Sequence, residues 1–378
     1  MKKILFISMR NPFSGKYSGD VIRSLKIINL LKTKFEVQVV CLDHKKFIDE
    51  KNRYISFKSP NIFFKILNCL LSVLKIQPIQ FGLFFSNELK NYINNYANNF
   101  DYLFFYHIRS SQYLPKNFMG KTILEMNDLY SDNYLQTFKY LSIFNPLKYL
   151  YFFESILMKK VENIVFSNFD RITLLSKNEV KKINSKFKNK IFAIDELVYQ
   201  VNKKFFFSKK NFRILFIGNL SYLPNYLACR DFIRNILPRL REKSPNIKFS
   251  IIGNITRLNQ ILLSNKAGVE ILGSQKNISK FIKNTICGIA NLEIATGVQG
   301  KVLTYMSFGL PVICSNKVAK NFGSNVIKYD KNDELFEKIT NLMVNKFKSN
   351  KLSKESIKYT KKLNLNNMKL NYLKLLKF

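Results

Sequence analysis

Residues 297–309, GVQGKVLTYMSFG, gather three of the chain's 13 glycines around one lysine, Lys301. The apolar spacing of Val302, Tyr305, Met306 and Phe308 predicts a helix over 298–308. Thr296 is suited to cap its start, and Gly297 lets another group approach the backbone closely. Gly309 stands where a left-handed residue closes a helix, Pro311 follows as a stop, and PVICS reads as the next buried strand. A helix beginning here offers the N–H groups of Val298, Gln299 and Gly300, with a partial positive charge of about half a unit. Lys301 in the first turn works against that macrodipole, and Gly300 costs helix stability, about 1 kcal/mol relative to Ala. Both features fit a site for a diphosphate, which the glycines make room for and the lysine neutralises.

Other chemistries find little support. His44 and His107 are the two histidines, so a multi-histidine metal centre is ruled out. The five cysteines (Cys41, Cys69, Cys229, Cys287, Cys314) are dispersed and lack CxxC spacing, which fits a reducing cytosol and neither a zinc site nor a disulfide framework. There is no DxD to bridge a metal to a diphosphate, so no metal or other cofactor is expected and the neutralising cation must be a side chain.

The elements that must position Lys301 alternate between strand and helix. KILFISM, DVIRSLKIINLLKTK and EVQVVCL make an opening βαβ unit, joined by the loop RNPFSGKYSG. FDYLFFYHI, KTILEMND, DRITLLS and KIFAIDE continue the strands to residue 196. The polar stretch 201–211 interrupts the pattern, which then restarts with RILFIGN, a helix over 227–243, KFSIIGN, GVEILG, a short helix over 277–285, and ICGIANL. Two doubly wound α/β domains follow, over 1–205 and 206–352, facing each other across a cleft. A Lys-rich helix over 353–378 is expected to pack back along the pair.

The length of 378 residues suits two domains, and 47% hydrophobic residues can fill two cores. The formal net charge of +37 suggests a polyanion partner. However, the lysines are spread along the whole chain, and Asn, Ile, Phe and Tyr are raised with them while Trp is absent. This is the signature of a compositional bias, and no specific nucleic acid is expected. Steeply salt-dependent retention on DNA or RNA would argue otherwise. An anionic membrane surface makes better use of the charge, because each surface cation contributes up to about 1 kcal/mol there. Segments 63–85 and 144–166 mix large apolar side chains with lysines, as core-facing helices or as a basic amphipathic surface. No run reaches the length of a spanning helix, and the N-terminal apolar run is too short for a secretory signal. The expectation is a cytoplasmic chain able to lie on the inner face of the plasma membrane.

GVQGKVLTYMSFGLPVICS resembles the donor-site helix of family 4 glycosyltransferases, enzymes of the GT-B fold. RILFIGNLSYLPNYLACRDFIRNILPRLREKSPNIKFSIIGN is similar to that family's first C-terminal βαβ unit. FISMRNPFSGKYSGDVIRS resembles the acceptor-side loop of a subgroup that makes surface polysaccharide. The resemblance spans most of the chain and is weakest over 45–100. It implies an N-terminal acceptor domain, a C-terminal nucleotide-sugar domain, and retaining transfer to a glycan or lipid-linked acceptor. By position, Lys301 would contact the donor diphosphate, with Gly297, Val298, Gln299 and Gly300 around it and Gly218 and Asn219 bordering from the other side. Asp20 and Gly19 would face the transferred sugar, Asp20 beside Lys301 in catalysis, while Arg23, His107 and Arg109 would serve the acceptor.

The resemblance has a gap. The family's usual Glu-x7-Glu pair falls here on Thr296 and Thr304, which leaves Thr304 to meet the ribose. Glu293 comes three residues too early, and Asn219 replaces a usual arginine. Two other functions therefore stand beside the transferase: a catalytically impaired homologue serving as an assembly partner, and a nucleotide-sugar epimerase.

Overall fold

The computed structural model describes residues 1–15, 19–196, 198 and 201–377. The chain divides into two compact units, Met1–Asp195 with Lys369–Phe378, and Glu196–Met368.

The first unit is built on eight strands: β1 (Lys3–Ser8), β2 (Glu36–Asp43), β3 (Phe47–Asp49), β4 (Tyr54–Lys58), β5 (Tyr102–Tyr106), β6 (Lys121–Asn127), β7 (Arg171–Leu174) and β8 (Ile191–Ala193). Their order is β3-β4-β2-β1-β5-β6-β7-β8, parallel except for the β3–β4 hairpin. The helices are α1 (Gly19–Leu31), α2 (Ile62–Leu74), α3 (Ile79–Leu83), α4 (Asn87–Tyr96), α5 (Tyr130–Tyr140), α6 (Leu147–Asn168) and α7 (Lys177–Lys182). β1 and β5 are buried almost throughout, as strands covered on both faces must be, so their sequences are continuous apolar runs. α1 buries Val21, Ile27, Ile28, Leu30 and Leu31 along one stripe.

The second unit carries β9 (Arg213–Ile217), β10 (Lys248–Ile252), β11 (Val269–Ile271), β12 (Thr285–Ala290), β13 (Val312–Ser315) and β14 (Ile327–Tyr329). They form one parallel sheet in the order β11-β10-β9-β12-β13-β14. Around it run α8 (Leu223–Asp231), α9 (Leu237–Lys243), α10 (Arg257–Ser264), α11 (Gly300–Ser307), α12 (Asn316–Ala319), α13 (Asn332–Val344) and α14 (Lys346–Lys361). A last helix is α15 (Leu365–Leu375), whose residues from Lys369 onward are counted with the first unit.

Four expectations are corrected. The first unit ends ten residues before 205, because the N–H groups of Asn202 and Phe205 donate to the carbonyls of Ser307 and Phe308, and Phe205 lies in the second unit's core. The tail is two helices. α14 belongs to the second unit, where its Ser356 hydroxyl donates to Leu310 O, whereas Tyr372 of α15 donates to Glu125 in the first unit. The segment 227–243 is not one regular helix: Pro238 lacks the N–H of an unbroken ladder, and residues 232–236 widen into a π-turn between α8 and α9. Finally, 277–285 makes only a 3₁₀ turn at Ser279–Phe281, cut short by Asn284 in left-handed backbone (φ 61°).

Candidate functional site

In the second sheet, β9 pairs with β10 on one side and β12 on the other, so the chain's winding reverses between β9 and β12. The crevice beyond the carboxyl ends of two such strands is where open α/β sheets bind ligands. The Tyr305 hydroxyl fills the gap, accepting the Ile217 N–H at 2.6 Å and donating to the Ile289 carbonyl at 3.2 Å. Its ring lies against Gly288, where a Cβ would come within 2.4 Å of it.

Lys301 rises from the first turn of α11 into this corner. Its Nζ donates to Asn225 Oδ1 at 2.6 Å and sits 4.0 Å from the centre of the Phe216 ring. Burial of the ammonium, only partly opposed by the Cys229 and Cys314 thiols, lowers its pKa to about 7. Asn225 also donates from Nδ2 to the Asn219 carbonyl at 2.9 Å and packs on Gly218, where a Cβ would fall 2.9 Å from its amide. One buried asparagine thus ties the β9 loop to the lysine of α11. Asn225 lies outside the residues expected at the site; its one signal in the sequence is the PN pair opening α8, where Pro224 occupies the first turn.

The helix start differs from the expected one. α11 begins at Gly300, with Gln299 as its cap and not Thr296, which is buried. The Gln299 side chain donates to the Thr296 carbonyl at 2.9 Å and accepts nothing from the helix. Gly297 takes left-handed backbone (φ 60°) and offers its carbonyl to Asn321 at 2.5 Å. Among the described residues, no hydrogen bond engages the N–H groups of Gly300 and Lys301. A Cβ on Gly300 would meet nothing within 4 Å. At the other end, Gly309 (φ 74°) and Leu310 donate to Met306 and Tyr305 carbonyls, the Schellman pattern that the sequence predicts. The Thr304 hydroxyl donates to the Gly300 carbonyl at 3.0 Å, and Glu293 is exposed, 3.6 Å from Lys317.

The first sheet repeats the arrangement. Its winding reverses between β1 and β5, and a small pocket there is lined by Arg10, Asp20, Ser24, Tyr106, His107 and Arg109. Gly19 opens α1 with space around it for a Cβ, and the Asp20 carboxylate meets Arg10 at 2.5 Å. His107 (φ 68°) and Asn127 (φ 67°), at the ends of neighbouring strands, both adopt left-handed backbone. Such backbone is costly outside glycine and concentrates at functional sites. The imidazole touches the Tyr130 hydroxyl at 3.2 Å and the Asn127 amide at 3.4 Å. Burial, reinforced by the charge of Arg109, drives its pKa to about 3, so it is neutral at physiological pH. Arg109 is held by Gln80 at 2.5 Å and lies over the rings of Phe84 and Tyr130. Asp128, not among the expected site residues, has its pKa raised to about 6 by burial.

Arg23 does not join this corner as an acceptor ligand. It is 2% exposed, and Nε and Nη2 donate to Glu125 Oε1 at 3.1 and 2.7 Å. Tyr372 and Thr173 complete the carboxylate's shell, so the guanidinium serves the interior. Among the described residues, no group of three or more His, Cys, Asp or Glu could hold a metal ion.

Residues 211–345 match the family model of the glycosyl transferases group 1. A protein from Klebsiella pneumoniae, described as an uncharacterized 44.6 kDa protein in the cps region, is 24% identical over 67% of this chain. That match spans 65% of the relative's own length. Among solved structures, Anabaena Alr3699/HepE in complex with UDP and glucose superposes with a TM-score of 0.66 at 13% identity, covering 100% of this chain and 99% of that one. Sucrose-phosphate synthase from Thermosynechococcus elongatus gives 0.71 at 12% identity, over 99% and 98% of the two chains. The likeness to the group 1 glycosyl transferases thus covers residues 211–345, and the chain as a whole takes the GT-B fold seen in these solved structures.

Proposed function

We propose that this chain transfers a sugar from a nucleoside diphosphate donor to a glycan or lipid-linked acceptor, with retention, in the assembly of cell-surface polysaccharide or lipopolysaccharide. The observation that carries the reading is Lys301: a half-buried ammonium beside an open helix start, at the switch point of the second sheet, partnered by a neutral amide. In this reading Lys301 and the N–H groups around Gln299 and Gly300 hold the diphosphate. Gly218 and Asn219 border it, and the Thr304 hydroxyl turns to the ribose. Gly19 and Asp20 meet the transferred sugar, and His107 and Arg109 meet the acceptor. The bond from the sugar's anomeric carbon to the diphosphate oxygen breaks, and a bond to the acceptor oxygen forms on the same face. The acceptor's proton passes to the departing diphosphate, whose charge Lys301 and the helix amides stabilise. The cps-region setting of the Klebsiella relative favours a surface-polysaccharide acceptor. A cytoplasmic location suits a nucleotide-sugar donor, and among the described residues no helix is long and apolar enough to cross a membrane.

Titration calorimetry with UDP and GDP tests the donor site. The wild type should bind one of them, and Lys301→Ala should lower turnover by about 10²–10³. Unchanged kinetics in that variant would remove Lys301 from the site. A second reading, an impaired homologue acting as an assembly partner, draws on Thr296 and Thr304 at the glutamate positions. It predicts nucleotide binding without transfer from labelled nucleotide sugars to a membrane lipid extract.

A further inference from the structure

α2, IFFKILNCLLSVL, sets Lys65, Asn68 and Ser72 along one stripe and large apolar residues around the rest, yet of its 13 residues only Ser72 is buried. An amphipathic helix ordinarily turns its apolar face to the core, and this one turns its polar stripe inward instead. Here Ile62 and Leu74 are each 78% exposed, with Phe63, Ile66, Leu70 and Val73 open beside them. The turn between α5 and α6 adds Ile143 and a 90% exposed Phe144, and the outer stripe of α6 continues with Tyr149, Phe153 and Ile156. These two apolar surfaces belong to one body. Leu71 and Ser72 of α2, Lys75 just beyond its end, and Val161, Ile164 and Asn168 of α6 line a single groove of about 650 Å³. Below them, the N–H of Ile79, opening α3, donates to Glu154 of α6 at 2.7 Å.

The charge around this surface selects its occupant. Residues 58–77 and 138–153 carry five lysines (Lys58, Lys65, Lys75, Lys139, Lys148) and no Asp or Glu. Lys148 folds back to the Phe138 and Leu141 carbonyls at 2.8 and 2.7 Å, its stem lying along apolar surface. A second copy of the chain would bring another +37 against this face and be repelled. A surface that is apolar and rimmed by cations, with no Asp or Glu in the two segments that carry it, fits the boundary of an anionic bilayer, where acyl chains receive the large side chains and headgroup charges meet the lysines. We infer that α2 and the α5–α6 turn form one face that docks on an anionic lipid membrane. This does not depend on the donor chemistry proposed above.

Flotation of the full chain with vesicles of phosphatidylcholine, alone or mixed with phosphatidylglycerol, tests it. The wild type should float with the mixed vesicles and not with the neutral ones. Phe63→Glu with Leu74→Glu, and separately Phe144→Glu with Phe153→Glu, should each weaken binding about 10-fold or more. Because all four side chains are exposed, both variants should keep the wild-type melting point and nucleoside diphosphate affinity, which separates failure here from failure at the donor site. Variants that float like the wild type would overturn the inference. So would a wild type that sediments as a dimer and becomes monomeric in the glutamate variants, since a second copy would then cover this face.

Discussion

Lys301 is held by one neutral amide and one aromatic ring, with burial lowering its pKa to about 7. A bound diphosphate would favour the ammonium and raise that value. Above pH 7, binding must then take up a proton, so affinity should fall as pH rises, by up to tenfold per unit, until the bound-state value is reached. Below pH 7 the lysine is already charged and contributes no slope. Calorimetry between pH 6 and 9 checks this, and Lys301→Met should flatten the upper limb. Asn225→Ala should lower affinity as well, through a lysine no longer held toward the β9 loop. Arg23 carries the opposite expectation. Its pairing with Glu125 is buried, so Arg23→Ala leaves a carboxylate uncompensated and should cost about 3–5 kcal/mol of stability in urea unfolding. A larger effect on acceptor saturation than on stability would return Arg23 to the site.

At the scale of elements, Gly300 separates a structural helix start from a binding one. It has no protein neighbour that a Cβ would strike and its backbone is not left-handed. Gly300→Ala should therefore hold or raise the melting point, by up to about 1 kcal/mol of helix propensity, while weakening nucleoside diphosphate binding. Retained affinity would show that the glycine clears no space for a ligand. The strands were legible in the sequence because parallel strands buried on both faces are continuous apolar runs, as in β1 and β12. The Gly309 stop was legible because only left-handed backbone there closes α11. The start of α11 was not, since Thr296 is a better cap by residue type than Gln299 but faces the interior. Asn225 and Glu125 escaped notice for a related reason. Their partners, Lys301 and Arg23, lie 76 and 102 residues away, and spacing along a chain carries no sign of such pairings.

For the molecule as a whole, the +37 charge acts twice, with opposite consequences for added salt. Like charges spread over the surface repel one another in the folded chain more than in the expanded one, so screening them should favour folding. Attraction between the lysines near α2 and the α5–α6 turn and an anionic headgroup layer should weaken as the Debye length shrinks from about 30 Å at 0.01 M to about 8 Å at 0.15 M salt. Raising salt over this range should therefore increase the melting point while releasing the chain from phosphatidylglycerol vesicles. If the charge served only general attraction, release would be complete. The apolar side chains of α2, indifferent to screening, should instead leave a residual bound fraction that Phe63→Glu with Leu74→Glu removes. Parallel melting and flotation series across the salt range measure both quantities, and a residual fraction untouched by those substitutions would place the apolar contact elsewhere on the surface.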